Sequence, residues 1–111
     1  MMWGTASENG MVIGKPEGLI DDDAREPFLA GLRDGIAKAG RESAAFIIDM
    51  SGIEHIGAAG LMALTLARKE AQAAGVRIAL ARPGPLIREI LDIGRFGMIF
   101  DIVDDPRTLK A

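Results

Sequence analysis

An α/β fold, with parallel strands joined through crossover helices, is the class this sequence predicts, and three observations predict it. Apolar runs alternate with amphipathic helical patterns along the chain. Ala44–Met50 is apolar throughout except for Asp49, the pattern of a strand buried on both faces of a sheet. A Gly-rich loop follows that run, and open α/β sheets carry their functional loops beyond the carboxyl ends of the strands. The order reads strand, strand, helix, strand, helix, strand, helix, strand, with right-handed crossovers.

Each element has its own signal. Asn9-Gly10 is a two-residue hairpin turn between a strand near Trp3–Ala6 and another near Met11–Gly14. Pro16 and Gly18 then loosen the chain. Asp21, Asp22 and Asp23 precede a helical pattern in which Phe28, Leu29, Leu32, Ile36 and Ala39 share one face. The acids complement the positive end of the helix dipole, and Asp23 with Glu26 has the spacing of a capping box. This helix starts at Ala24 or Pro27, and Gly40 is its expected left-handed cap. A second helix is expected over Ala58–Ala74, burying Leu61, Leu64, Ala67 or Arg68, and Ala71, and ending at Gly75. Val76, Ile78 and Leu80 alternate as a strand. Pro85 opens a third helix that buries Leu86, Ile87, Ile90 and Leu91 and closes at Gly94. Met98–Val103 reads as the last strand, and Asp105-Pro106 as the start of one more helical turn.

The chain of 111 residues is long enough for one domain with a core and too short for two. Hydrophobic residues make up 49% and aromatics only 5%, which makes the core aliphatic. A net charge of −3 without a basic stripe excludes a nucleic-acid binder. There is no Cys, which removes disulfides, thiolate metal sites and thiol chemistry together. Residues 1–10 lack the basic start and apolar run of a signal peptide, and no apolar stretch reaches the ~20 residues of a spanning helix. A cytoplasmic protein without membrane insertion is expected.

No nucleophile–base pair, metal cluster or phosphate-binding Gly-Lys-Ser/Thr loop is present, so no enzyme and no cofactor are expected. Asp49 lacks the acidic pair and the distal Lys of a response-regulator acceptor and reads as a residue that bonds loop N–H groups. His55, the single histidine, is read as a half-buried loop residue. Asp21–Asp23 is read as a solvated helix mouth, not a metal site. Met62, Ile93, Met98 and Phe100 are read as core, and Arg82, Arg88 and Arg95 as surface charges. The mouth of the second helix offers Gly57, Ala58, Ala59 and Gly60, a place suited to an anion but without a hydroxyl to carry one.

The ordered motifs resemble the STAS domain, the SpoIIAA-like fold of bacterial anti-sigma factor antagonists. Ile48-Asp49-Met50-Ser51-Gly52-Ile53 resembles the family's Asp-Leu-Ser-Gly-Val. Ile56-Gly57-Ala58-Ala59-Gly60-Leu61 stands where the family has Asp-Ser-Ser-Gly-Leu. Glu17-Gly18-Leu19-Ile20-Asp21 and Arg88-Glu89-Ile90-Leu91-Asp92-Ile93-Gly94 resemble its segments before the first helix and the last strand. The resemblance runs over about Met11–Val103. It implies a single STAS domain over residues 1–111, with a four- to five-stranded mixed, mostly parallel sheet, three to four helices, and a short or missing C-terminal helix.

In the family, a partner kinase phosphorylates the second Ser of Asp-Ser-Ser-Gly. Here Ala59 takes that place, Ala58 that of the preceding Ser, and Gly57 that of the Asp. The resemblance implies a protein that binds an anti-sigma factor, a serine-protein kinase of the GHKL type, and that cannot be phosphorylated at this position. Ser51, Ser43 and Thr65 are the remaining candidate phosphosites, of which Ser43 and Thr65 match no family position for one and Ser51 reads as a loop hydrogen-bonder. The expected docking surface is Ser51, Gly52, His55, Gly57, Ala58, Ala59 and Gly60, with Met62 and Ala63 as rim. Other STAS proteins are further expected partners. The rival readings are a scaffold subunit of a signalling assembly, the cytosolic accessory of a lipid transporter, or a nucleotide sensor using the helix-mouth N–H groups.

Overall fold

The computed structural model describes residues 1–108. β1 (Met2–Glu8) and β2 (Met11–Ile20) form an antiparallel hairpin. Asn9 and Gly10 both take positive φ, 50° and 75°, the turn whose twist matches that of the flanking strands. β2 runs past the expected end at Gly14 by changing neighbours. Met11–Gly14 pairs in parallel with β3 (Ala45–Asp49), and Gly18–Ile20 pairs in parallel with β4 (Ile53–Ile56). Pro16 falls between the two parallel ladders, where a missing N–H breaks neither of them. A register shift between Gly18 and Leu19 absorbs the switch.

The sheet is completed by β5 (Ile78–Ala81) and β6 (Asp101–Val103) in the order β1-β2-β3-β5-β6, with β4 beside β2 off this path. Apart from the β1–β2 hairpin, the pairings are parallel. The class is the one expected, with one strand more. β4 lies inside the Ser51–Gly60 stretch that the sequence presents as loop.

Three helices connect the strands: α1 (Arg25–Glu42), α2 (Ala58–Ala73) and α3 (Pro85–Ile93). They pack on the sheet face that carries Val12, Phe46, Ile48 and Leu80. Met11, Ile47, Ala79 and Ala81 form a smaller cluster on the other face. α1 buries the expected stripe, Phe28 to Ala39. Each fully buried side chain of the Phe28 or Leu32 kind stabilises the fold by roughly 1.5–3 kcal/mol.

Several ends differ from the sequence reading. α1 passes Gly40 and stops at Ser43, whose left-handed backbone (φ 53°) turns the chain so that the Ala44 N–H reaches the Ala39 carbonyl at 2.9 Å. The Asp23–Glu26 capping box does not form. The helix caps at Ala24 without a side-chain bond, and the carboxylate of Asp21 accepts the Ala24 N–H at 3.1 Å instead. α3 closes at Gly94 as expected, but the left-handed residue is Arg95 (φ 57°). Phe96–Met98 is a short 3₁₀ turn, and β6 begins only at Asp101. The Phe100 N–H donates to the Phe96 carbonyl at 2.9 Å, a helical i→i−4 bond that a strand could not make, and both rings are buried. The turn expected at Asp105-Pro106 is a 3₁₀ turn over Pro106–Thr108. The expectation of a short or missing helix after it lies outside the described residues.

Candidate functional site

β3 brings the chain to the carboxyl edge of the sheet at Asp49. This aspartate is nearly buried, and its Oδ1 accepts the Ser51 N–H at 3.0 Å. The Met50 N–H donates to the Ala81 carbonyl and the Ile53 N–H to the Met50 carbonyl, which fixes the turn. Asp49 is therefore spent on the backbone, as its sequence context implies. β4 follows with Ile53 and Ile56 buried and Glu54 and His55 exposed. His55 is thus a solvent-facing strand residue, not the half-buried loop residue expected, because β4 makes only its two ends face inward.

The Gly57 N–H donates to the Ile20 carbonyl at 2.9 Å, pinning the mouth of α2 to the end of β2. Gly57 caps α2 in an extended conformation with no side-chain hydrogen bond, and the first turn carries no acid. The positive end of this helix dipole is left without a compensating charge on its own first turn. Ser51, His55, Ala58 and Met62 are exposed, and Gly52, Gly57 and Ala59 are half-buried. Gly60 and Ala63 are buried, unlike the exposed positions expected of a docking surface. A Cβ on Gly60 would lie 2.7 Å from Ile56 Cγ1 and 2.8 Å from Ile20 Cγ2. The small residue seats the helix against the strands.

Four side chains expected to be buried lie outside the core. Met62, Leu86, Ile93 and Met98 are 68%, 52%, 78% and 80% exposed, while Phe100 is buried as expected. The inward stripe of α2 is Gly60, Ala63, Leu64, Ala67 and Ala71, which turns Met62 and Leu66 outward. Met98 sits in the 3₁₀ turn between the two buried phenylalanines. Leu61, Met62, Thr65, Leu66, Lys69 and Phe96 line a shallow groove of about 290 Å³ along this flank. Arg68 Nε ties α2 to the end of the 3₁₀ turn by donating to the Ile99 carbonyl at 2.8 Å. Leu66 was missed in the sequence, although an apolar residue four after Met62 and off the buried stripe is a readable signal. The Thr65 hydroxyl donates to the Leu61 carbonyl at 3.1 Å.

A second helix mouth adjoins the first. Asp21, Asp22 and Asp23, exposed ahead of α1, share a recess of about 400 Å³ with His55 and Gly57. Among the described residues no three His, Cys, Asp or Glu side chains are placed to hold a metal ion. The carboxylates put negative potential beside the mouth of α2, which opposes a free anion or nucleotide phosphate there. A larger recess of about 840 Å³ opens at the far edge of the sheet, lined by Gly40, Ser43, Ala44 and Gly75 among others. Arg77 and Arg107 also line it, with no carboxylate or histidine among the described residues that do.

Behind the site, Arg33 of α1 grips Glu70 of α2 through two hydrogen bonds of 2.9 and 3.0 Å. The hydrogen bond from Arg33, with its charge, holds the Glu70 carboxyl below its ordinary range. The same bond raises Arg33. Arg88 pairs with Asp104, as expected of a surface charge. No helix among the described residues is long and apolar enough to cross a membrane.

A family model described as STAS domain matches residues 7–108. A Bordetella bronchiseptica protein named as a candidate anti-sigma factor antagonist, BtrV, is 25% identical over 103 residues, 93% of this chain and 86% of that protein. A crystal structure of a candidate anti-sigma factor antagonist from Thermotoga maritima superposes with a TM-score of 0.82 at 18% identity, covering 95% of this chain and 88% of its own. The anti-sigma factor antagonist SpoIIAA in its unphosphorylated form gives 0.68 at 17% identity, covering 96% and 91%. The phosphorylated form of SpoIIAA, from Bacillus, gives 0.66 at 16% identity, covering 96% and 95%. At these identities the solved structures establish a common fold: a mixed sheet flanked by helices.

Proposed function

This chain belongs to the STAS domain family, and from that premise we propose that it acts by protein–protein contact in the cytoplasm, as an anti-sigma factor antagonist that docks on a kinase-type anti-sigma factor. The docking face is the mouth and outer flank of α2: Ser51, Gly52, His55, Gly57, Ala58 and Ala59, with Met62 and Leu66 beside them. One observation carries this reading. The first turn of α2 has no side-chain cap, no hydroxyl and no acid of its own, and it runs directly into exposed apolar side chains. Ala59 takes the place of the serine that the family's kinases modify.

The physics of the substitution sets the mode of action. A phosphoserine adds about −1.5 to −2 charges and three acceptor oxygens, which a partner must desolvate or repel. Moving a mostly bound population to a mostly free one takes ~10⁴-fold in affinity, about 5.5 kcal/mol. An alanine methyl cannot carry that change. Control then rests on the partner or on abundance, and the protein is a constitutive binder.

The test is titration of the chain with the kinase-type anti-sigma factors of the same genome, with and without ATP. A complex that persists in ATP, with no gain of phosphate mass on the chain, is the expected result. Binding to none of them, or release coupled to phosphorylation of an exposed hydroxyl, overturns the reading.

A further inference from the structure

β1 is an edge strand, and it lacks the features that normally protect one. Among the described residues its neighbour is β2 alone, paired from Met2↔Glu17 to Glu8↔Met11 without a bulge. The opposite row of its backbone groups faces outward. Edge strands are commonly blunted by Lys, Pro, bulges or short length. β1 has seven residues, MWGTASE, with no Pro and one charge, Glu8, at its last position. The edge at β6 differs: it has three residues, and it opens with Asp101, which is ion-paired to Arg77.

β1 is also held rigid. The Trp3 ring meets Phe28 edge-on at 6.2 Å. It lies against Gly14 and Gly31, where an added Cβ would come within 2.6 Å of the indole. Trp3 Nε1 donates to Thr5 Oγ1 at 3.0 Å along the same face. The unpaired row is therefore presented as a fixed template and not as a frayed arm.

We propose that this edge pairs with β1 of a second copy, antiparallel about a twofold axis at Thr5, to make one continuous sheet across two chains. The sequence of the strand is self-complementary in that register. Thr5 meets Thr5 of the second copy, a favourable cross-strand pair. Gly4 meets Ala6, two small residues, and Trp3 meets Ser7. Glu8 meets Met2, which keeps the two carboxylates at opposite ends of the ladder. A twofold axis makes every such contact twice, as closed dimers require. The pairing uses no residue of α2 and leaves the docking face open. One strand per partner is a small interface, which makes the dimer weak and concentration-dependent.

Sedimentation from about 10 µM to about 1 mM, the range suited to an interface of this size, should show monomer passing to dimer. Thr5→Lys sets two ammonium groups face to face and should weaken the dimer at least ~10-fold, with an unchanged melting curve reporting an intact fold. Thr5→Val, still β-branched and neutral, should dimerise like the parent. The absence of Cys makes the register directly readable. Thr5→Cys should oxidise to a covalent dimer. Ser7→Cys should not, because four residues of stagger separate its sulfurs by ~13 Å, beyond disulfide reach. A parent chain that stays monomeric to about 1 mM, a Thr5→Lys dimer as strong as the parent's, or equal cross-linking at both cysteines would overturn the proposal.

Discussion

The mouths of α1 and α2 open on the same edge of the sheet and share one recess, yet they are built from opposite chemistry. α1 is preceded by three aspartates, and one of them closes the turn by accepting the Ala24 N–H. α2 begins with glycine and alanine, without a cap oxygen or an acid in its first turn. Both mouths carry the same dipole and the same loose N–H groups. The first ties its Ala24 and Arg25 N–H groups back to Asp21 and Asp22. The second leaves its own, with a smooth methyl surface and the side chains of Met62 and Leu66, for something outside it. The difference between the two mouths, and not the fold they share, is what supports α2 as the proposed docking element.

That contrast can be broken by substitution. The largest effect is expected from Gly60→Ala, which drives a methyl into Ile56 and Ile20 and forces α2 off its seat. Overpacking of this kind costs about 1–3 kcal/mol, more than the gain in helix propensity. A melt that shows no loss would mean the α2 mouth is looser than described. Asp21→Ala comes next: it removes the carboxylate that shares the Ala24 N–H with the Asp21 backbone carbonyl, and should cost at most about 1 kcal/mol in chemical denaturation. Alanine already occupies the capping region of α2, so the same loss cannot be produced there. Ala59→Glu should instead raise the stability of the isolated chain by about 0.3–1 kcal/mol, because an acid in the first turn complements the bare dipole. Asp21–Asp23 nearby reduce that gain.

The smallest effect concerns the clamp behind the two mouths. Glu70 is held below its ordinary range by Arg33. A depressed carboxyl contributes stability above its unfolded pKa and loses it as pH falls through the lowered folded value. An acid titration of stability should therefore fall less steeply for Glu70→Gln than for the parent across that window. The pair is solvent-exposed, and the difference should shrink further in high salt.

Much of the fold was legible because burial sets a period. Phe28, Leu29, Leu32, Ile36 and Ala39 trace one helical face, and Ala45–Asp49 reads as a strand buried on both sides. What escaped was set by tertiary pairing. β4 shows burial only at Ile53 and Ile56, with Glu54 and His55 out, and so has no alternation to read. It exists because β2 changes partner at Gly18, and the same change hid the length of β2 behind Pro16. Gly40 looked like a helix stop, but Ser43 took the left-handed turn instead. In the site, the absence of a hydroxyl at Ala58 and Ala59 was plain from the sequence. The burial of Gly60 and Ala63 and the exposure of Met62 and Met98 were not, because they depend on which flank of α2 meets the sheet.

The most direct measurement is calorimetric titration of an anti-sigma factor partner with the parent chain and with Ala59→Glu. A fall in affinity of more than ~10-fold, about 1.4 kcal/mol, in a variant that melts no lower than the parent is the predicted result. Equal affinity for the two chains would contradict the assignment of the α2 mouth as the surface that the partner reads.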